Sequence, residues 1–334
     1  MMKIVPRTVV ETQRHGPTLP LAVGTRSSPL ALWQTRTFLA LIEQVCPILK
    51  QMDAFQERHI ATSGDQVQDK RLADIGGKGL FAKEIHEALL DRRVDFAVHS
   101  LKDLETELPP GIVLACTLKR EDPRDALVLG EACRNAPPAD PATPYAVLPK
   151  GALIGTASVR RQAQLLHARP DLRVEMIRGN VQTRLRRVHS GEFDASLLAI
   201  AGLKRLELEH EAGAVIDADV MVPAAAQGIV GVTVREDDDE LRELLHAIED
   251  REARIAATAE RALLHALDGS CRTPIGAHAR MLPAGMMSLT GLVARADGSF
   301  VTRRRILGAQ ADAARMGREL GAELLADCPA DVFA

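Results

Sequence analysis

Hydrophobic positions along the chain predict a repeated order of buried strand, polar loop and amphipathic helix. The apolar run at 19–25 indicates a strand, and Leu32, Leu39 and Ile42 then recur at roughly helical spacing. Ser28 can cap this helix, and Pro29 suits a first turn, where a missing N–H costs no hydrogen bond. The same order is predicted at 152–168, so the chain reads as an α/β protein.

Two stretches of the chain repeat one another weakly. "VGTRSSPLALWQ" aligns with "IGTASVRRQAQL", and "RVDFAVHSLKD" with "EFDASLLAIAGLK". The region 78–103 reads as loop, helix, strand and polar loop, and 172–205 as strand, loop, helix, strand and loop. We therefore expect two similar α/β lobes, with chance similarity as the alternative for so short a match.

The later pattern predicts a return to the first lobe and then a third domain. A strand at 229–235 follows the second lobe, and helical patterns follow at 239–249 and 252–267. Three strand-like runs within 273–307 and a helix at about 309–326 predict a smaller α+β domain. Five prolines within 130–150 indicate a surface excursion or linker. The expected division is an extension at 1–19, a first domain at 20–120 plus 225–248, a second at 121–224 and a third at 249–334.

Composition narrows the classes of function. A net charge of −3 and 3% aromatic residues disfavour a nucleic-acid binder. No run approaches the ~20 apolar residues of a membrane span, and the first 20 residues lack a signal-peptide core. Five widely spaced cysteines without CxxC spacing, and histidines without HExxH spacing, indicate neither a disulfide framework nor a metal site. We expect a cytoplasmic protein with reduced thiols.

Basic residues follow predicted strands in both lobes, where α/β proteins bind ligands beside helix N-termini. Each could be an ordinary surface residue, but together they predict a polyanion-binding cleft. No GxxxxGK[ST] motif occurs, so the anions are as readily carboxylates as phosphates. The residues are Arg26, Lys78, Lys102, Arg160, Arg161, Arg178, Arg184 and Arg205, with Ser28 beside the first strand.

Two further residues allow a structural and a chemical interpretation each. Asp103 either pairs with Lys102 or a nearby arginine, or is a carboxylate held ionised by cations and able to stabilise a positive charge formed during a reaction. Cys271 is either an inert thiol or, because Arg272 favours the thiolate, a nucleophile.

A set of motifs in one order carries a resemblance over about residues 20–326. They are "GTRSSPLALWQ", "IGGKGLF", "AVHSLKDLE", "EDPRDAL", "GTASVRRQAQL", "RGNVQTRL", "AGLKRL", "AAAQG" and "LDGSCRTPIG". On these motifs the chain resembles the porphobilinogen deaminase (hydroxymethylbilane synthase) family. The resemblance implies two lobes like those of periplasmic anion-binding proteins, and a third domain whose cysteine holds a dipyrromethane cofactor through a thioether. Cys271 matches that cysteine.

The resemblance also implies the reaction. Four porphobilinogen units are joined head to tail with loss of ammonia, and the linear hydroxymethylbilane is released, a step in tetrapyrrole (haem) biosynthesis. Asp103 matches the catalytic aspartate, which would stabilise a cationic azafulvene. The implied partner is porphobilinogen alone, bound by a monomer without metal, nucleic acid or membrane.

The implied binding residues divide by role. Those for the cofactor are Lys102, Ser158, Arg160, Arg161, Arg184 and Arg205, and those for the substrate are Arg26, Ser28, Lys78 and Arg178. Two positions depart from the family pattern: Asp74 stands where some members have lysine, and Ala157 replaces a frequent serine. The rival class is a two-lobed anion-binding protein without activity, which needs neither Cys271 nor Asp103.

Overall fold

Three β-sheets organise the chain. The structure, a computed structural model, describes residues 19–66, 79–133, 140, 143–269 and 273–333. Two sheets have five strands each and the third has three. The predicted residues Lys78 and Cys271, the extension before residue 19, the departure Asp74 and part of the proline-rich stretch lie outside the described residues.

The first lobe is built on a five-stranded sheet with helices packed on it. Its elements are β1 (Leu21–Thr25), α1 (Pro29–Val45), α2 (Pro47–Gln51), β2 (Phe55–His59), α3 (Ser63–Gln66), α4 (Lys83–Leu90), β3 (Phe96–Ser100), β4 (Ile112–Thr117) and, after the second lobe, β10 (Val230–Arg235) and α8 (Asp239–His246). The strand order is β2-β1-β3-β10-β4. Helix α1 begins as predicted, because the Ser28 side chain accepts a hydrogen bond from the Ala31 N–H at 3.3 Å.

The second lobe repeats this arrangement. Its elements are β5 (Asp125–Leu129), β6 (Leu153–Gly155), α5 (Val159–Ala168), β7 (Arg173–Glu175), α6 (Val181–His189), β8 (Ala195–Ala199), α7 (Ile200–Arg205) and β9 (Ala214–Ile216). The order is β7-β6-β8-β5-β9, with β6 parallel to both of its neighbours and β5 antiparallel to both of its own. In the first lobe β1 and β10 occupy those two places.

The chain passes between the lobes twice. Residues 118–124, the first crossing segment, lead from β4 to β5, and residues 217–229, the second crossing segment, lead from β9 to β10. Strand β10 lies between β3 and β4, so the predicted return to the first lobe is confirmed. The exact domain boundaries stay a prediction.

The third domain packs two helices on one face of an antiparallel sheet. Its elements are α9 (Arg251–Ala266), β11 (Ile275–Leu282), β12 (Met286–Ala294), β13 (Val301–Ala309) and α10 (Ala313–Asp327). Helix alanines and leucines such as Ala256 and Leu320 share one buried cluster with Ala277, Leu289 and Val293 of the sheet. The predicted fold class, α/β with two lobes and a smaller α+β domain, is confirmed.

Two local predictions were wrong. The loop predicted at the end of 172–205 is helix α7, because Ile200, Ala201 and Leu203 are buried on the sheet and their spacing favours a helix. The stretch 130–150 is not only a surface excursion. Cys133 and Tyr145 are buried in the core of the second lobe, since the prolines restrict the backbone without keeping the apolar residues between them in water.

Glu260 on α9 joins the third domain to both crossing segments. Its side chain is fully buried. Its carboxylate accepts from Arg120 Nη1 of the first crossing segment at 2.6 Å, from the Ala226 N–H of the second at 2.6 Å and from the Ala279 N–H of β11 at 2.7 Å. A buried carboxylate is stable only with such partners, so Glu260 fixes three parts of the chain at one point.

We predict that Glu260→Ala lowers the free energy of unfolding by about 3–5 kcal/mol, because the variant leaves Arg120 without its counter-charge and two backbone N–H groups without an acceptor. Urea denaturation measures the change. The matched control is Glu252→Ala, at an exposed position in the first turn of the same helix, which should cost less than about 1 kcal/mol. Equal losses in the two variants would contradict the role of Glu260.

Candidate active site

The turn after β3 places two candidate residues at the end of a buried strand. Residues Leu101–Asp103 form one 3₁₀ turn, and the Leu101 side chain at its start is fully buried. The Asp103 side chain keeps 30% of its surface exposed, and its carboxylate lies 3.8 Å from Arg26 Nη1. This contact is long for a salt bridge that would occupy the carboxylate, so Asp103 stays accessible to a ligand.

Arg26 follows β1 and faces the same space. Its Nε donates to Asp65 Oδ2 at 2.9 Å, and its guanidinium lies 4.3 Å from the centre of the Phe81 ring. Burial opposes the charge, but Asp65 and Asp103 outweigh it and raise the pKa of Arg26. Arg26 is therefore a permanent cation beside Asp103.

The predicted arginine pair at the start of α5 is buried on a carboxylate. Arg160 and Arg161 are 4% and 5% exposed. Their Nη2 atoms lie 2.8 Å and 2.7 Å from the two carboxylate oxygens of Asp125, and their Nη1 atoms donate to the carbonyls of Val222 and Leu197. Burial alone would raise the pKa of Asp125, but the two arginines hold it well below its usual range.

Asp125 is a residue that sequence reasoning missed. It is fully buried at the first position of β5, and Arg161, Arg160 and the Gln227 amide surround it. The available signal was the motif "EDPRDAL", which contains it, but nothing local distinguishes this acid from its neighbours.

Two more arginines of the second lobe, Arg178 and Arg184, lie near one another, and Arg184 is also near Arg161 and Asp103. Arg178 Nη2 donates to the Gly64 carbonyl of the first lobe at 2.9 Å, and Arg184 Nε to the Gly179 carbonyl at 2.9 Å. Burial first, and then the charges of Arg161 and Arg178, lower the pKa of Arg184 to about 10. Among the described residues, no acidic side chain lies within ion-pair distance of Arg184.

Lys102 lies between the two groups of charges. Burial, the largest influence, lowers its pKa to about 8. Asp103 and Asp125 oppose this shift, and Arg161 and Arg160 add to it. Its Nζ lies 3.3 Å from the side-chain oxygen of Gln227.

Arg205 and the serines have other surroundings. Arg205 Nη2 donates to the Gly228 carbonyl at 2.6 Å, and its guanidinium lies 5.9 Å from the centre of the Trp33 ring, along a groove between α1 and α7. Burial lowers the pKa of Arg205 to about 10, and the charge of Glu121 opposes this shift. Ser158 caps α5 through the Arg161 N–H at 3.4 Å, as Ser28 caps α1.

The four cysteines of the described residues offer no alternative nucleophile in this region. They are Cys46, Cys116, Cys133 and Cys328. Burial raises the pKa of Cys116 to about 12 and also raises that of Cys133, which keeps both as thiols.

The arrangement fits a ligand with several carboxylates. Arg184 has no acidic partner and the Nε–H of buried Arg160 has no acceptor in the described part of the chain, so the site has uncompensated positive charge. The described residues contain no group of three or more His, Cys, Asp or Glu that could hold a metal ion. None of the described helices has the length and apolar character of a membrane span.

Cations from two α/β lobes lie around one accessible carboxylate, an arrangement that suits the binding of an anion. The family model "Porphobilinogen deaminase, dipyromethane cofactor binding domain" matches residues 21–243, and "Porphobilinogen deaminase, C-terminal domain" matches 254–326. The chain belongs to the porphobilinogen deaminase family. The predicted activity, a transferase that condenses porphobilinogen into hydroxymethylbilane with a dipyrromethane cofactor, is confirmed as that of this family.

Relatives named porphobilinogen deaminase match nearly the whole chain. The protein from Sorangium cellulosum is 48% identical over 91% of this chain and 98% of its own length. The protein from Paracoccus denitrificans is 45% identical over 96% of this chain and 99% of its own length. The chloroplastic protein of Oryza sativa is 46% identical over 84% of this chain and 76% of its own length. The solved VFT2 domain of BvgS from Bordetella pertussis is 13% identical, over 72% of this chain and 91% of its own, at a TM-score of 0.39.

We predict that Asp125→Asn lowers the free energy of unfolding by about 3–5 kcal/mol at neutral pH, because two buried arginines lose their counter-charge. The folded-state pKa of Asp125 is below its unfolded value, so its contribution is full above pH ~4 and is lost as the pH falls further. The difference between wild type and variant should therefore shrink in acid.

Denaturant titrations at several pH values test this. The control is Asp171→Asn, whose ion pair with Arg169 is partly exposed, with side chains 28% and 24% accessible, and should cost about 1 kcal/mol or less. A loss in Asp125→Asn no larger than in the control would show that Asp125 does not neutralise the pair.

Proposed function

We propose that the reaction takes place in the cleft between the lobes, with Asp103 as the catalytic residue and the surrounding cations as carboxylate-binding groups. The observation that carries this proposal is the position of Asp103: its carboxylate is accessible, with Arg26 at 3.8 Å, and the charge of Arg184 of the second lobe also acts on this site. Arg26, Ser28, Lys78 and Arg178 bind the substrate in this proposal.

The chemistry of the substrate explains why a carboxylate is needed among cations. Porphobilinogen carries an acetate and a propionate, which the arginines hold through charge-assisted hydrogen bonds of ~1.5–3 kcal/mol each. When its amine leaves as ammonia, positive charge develops on the substrate's methylene-pyrrole unit. Asp103 accepts a hydrogen bond from the pyrrole N–H and stabilises that charge, with Arg26 beside it.

The residues assigned to the cofactor lie mainly in the second lobe and on the Lys102 turn. They are Lys102, Ser158, Arg160, Arg161, Arg184 and Arg205, and Cys271 forms the thioether. Within the described ranges, Arg184 has no acidic partner and the Arg160 Nε–H has no acceptor, which supports this assignment. When bound, dipyrromethane supplies the free pyrrole α-carbon to which the first substrate unit is joined.

The finer description is also a proposal. The enzyme acts as a monomer in the cytoplasm, with domains at 20–120 plus 225–248, 121–224 and 249–334. The strand order supports this division, since β10 returns to the first sheet and α8 packs in its core.

We predict that the purified protein carries the cofactor on Cys271 and on no other cysteine. Intact mass and peptide mapping should find the adduct there, and Cys271→Ser should give a folded protein without it. That variant should unfold at lower temperature, because a bound cofactor stabilises the native state. A free Cys271 thiol in active enzyme would falsify the assignment.

We predict that Asp103→Asn reduces turnover by ~10²–10³, corresponding to ~3–4 kcal/mol of lost transition-state stabilisation, while Cys271 stays modified. Asp103→Glu keeps the charge but displaces it by one methylene, so it should be slow yet measurable. Rates are normalised to folded, cofactor-bearing protein.

The alternative interpretation, in which Asp103 only pairs with a neighbouring cation, predicts a different pattern. Both variants would then lose stability and keep most of their activity per folded molecule. Near-normal turnover by Asp103→Asn would remove Asp103 from the mechanism.

A further inference from the structure

The second crossing segment contains a buried polar residue without a role in the proposed function. Gln227, in the motif "AAAQG", is 1% exposed. Its neighbours Ala226 and Gly228 have φ angles of 59° and 90°, so the backbone turns sharply on both sides. A Cβ atom on Gly228 would lie 2.3 Å from the Glu121 carbonyl oxygen. Gln227 is therefore held where the two crossing segments touch.

The Gln227 side chain has only one possible orientation. Its Nε2 donates to the Pro123 carbonyl at 2.7 Å and to Asp125 Oδ1 at 2.9 Å, and its Oε1 faces Lys102 Nζ at 3.3 Å. A carbonyl and a carboxylate only accept, and an ammonium only donates. A flipped amide would place its oxygen against two acceptors and its NH₂ against an ammonium.

The backbone of Gln227 is fixed as well. Its carbonyl accepts from Arg120 Nε at 2.9 Å, and Arg120 is paired with Glu260 of the third domain. The amide is thus presented by a rigid support, which a positioning role requires.

Lys102 depends on this amide because of the charges around it. Asp103 faces Lys102 from its own turn, Asp125 from β5, and Arg160 and Arg161 from α5. Burial is the main cause that lowers the pKa of Lys102 to about 8, and the arginines add to it. The oxygen of Gln227 is an acceptor that stabilises the protonated amine more than the neutral one, because the charged N–H is the stronger donor.

We propose that Gln227 is a positioning residue: its amide ties the Lys102 ammonium of the first lobe to the Asp125 carboxylate of the second, and so holds a carboxylate-binding cation in place beside Asp103. The role of Lys102 as a ligand-binding cation rests on the proposed function. The tie itself is a property of the protein that is measurable without turnover.

The experiment measures the titration of Lys102 directly in the full-length, cofactor-bearing enzyme. Trace labelling with acetic anhydride from pH ~6 to ~11 modifies only the free amine, and peptide mass spectrometry gives the pH of half-maximal labelling. Gln227→Met keeps the shape but removes the acceptor, and should lower this pH by about one unit. Gln227→Asn keeps a polar amide but moves its oxygen away from Lys102, so it should also lower the pH of half-maximal labelling. This second variant provides the test if Gln227→Met does not fold.

Gln227→Glu keeps an acceptor oxygen in either protonation state, so labelling of Lys102 should not shift to lower pH. The matched control is Gln164→Met. Gln164 is a buried glutamine on α5 whose amide bonds the Val222 N–H at 2.8 Å and the Val222 carbonyl at 3.1 Å. This control should lower the melting temperature without changing the pH of half-maximal labelling of Lys102.

A half-labelling pH of Lys102 that is unchanged in Gln227→Met or Gln227→Asn, or that falls in Gln227→Glu, would overturn the proposal. Its failure is distinguishable from failure of the proposed function. If Lys102 shifts as expected while Asp103→Asn retains normal turnover, the tie stands and the catalytic assignment falls.

Discussion

Repulsion among cations that have little water around them is the constraint on which this structure depends. In the proposed function the cleft needs positive charge to hold polycarboxylates, yet burial and mutual repulsion lower the pKa of Lys102 to about 8 and that of Arg184 to about 10. The chain meets this constraint with one buried acid. Asp125 neutralises part of the charge of Arg160 and Arg161 and fixes their side chains. The positive charge that remains is the part a bound ligand can neutralise, so binding of the cofactor also stabilises the fold.

The same acid links this charge to the way the lobes are connected. Two crossing segments join the lobes, and Gln227 on one of them bonds Asp125, the Lys102 amine and, through its carbonyl, Arg120 of the other. Glu260 then fastens both segments to the third domain. Two short connections between rigid sheets allow the lobes to rotate about them. The bonds to Glu260 and Gln227 fix the geometry of these two connections.

What the sequence could predict follows the range of the interactions involved. The start of α1 at Pro29, its Ser28 cap and the three strands of the third domain follow from local periodicity and capping, and Arg26 and Lys102 come just after β1 and β3 as expected. Asp125, Gln227 and Glu260 could not be found in this way, because their partners are 34 or more residues distant or, for the Ala279 N–H, depend on how α9 packs on the sheet. The hydrophobic pattern likewise did not predict strands β2, β4 and β5. Their role depends on pairing with distant strands.

Asp103 and Asp125 show how one residue type serves two purposes in the same field of cations. Asp125 is fully buried, with each oxygen paired with an arginine and a further bond from Gln227, so its charge serves the fold and its carboxylate is not exposed to a ligand. Asp103 stands at the end of a strand on a single turn, 30% exposed, with Arg26 no closer than 3.8 Å. The cations around Asp103 do not cover it. A carboxylate that is fixed and still uncovered can stabilise positive charge that develops on a substrate, so in the proposed function the difference in exposure, and not in residue type, separates the catalytic role of Asp103 from the structural role of Asp125.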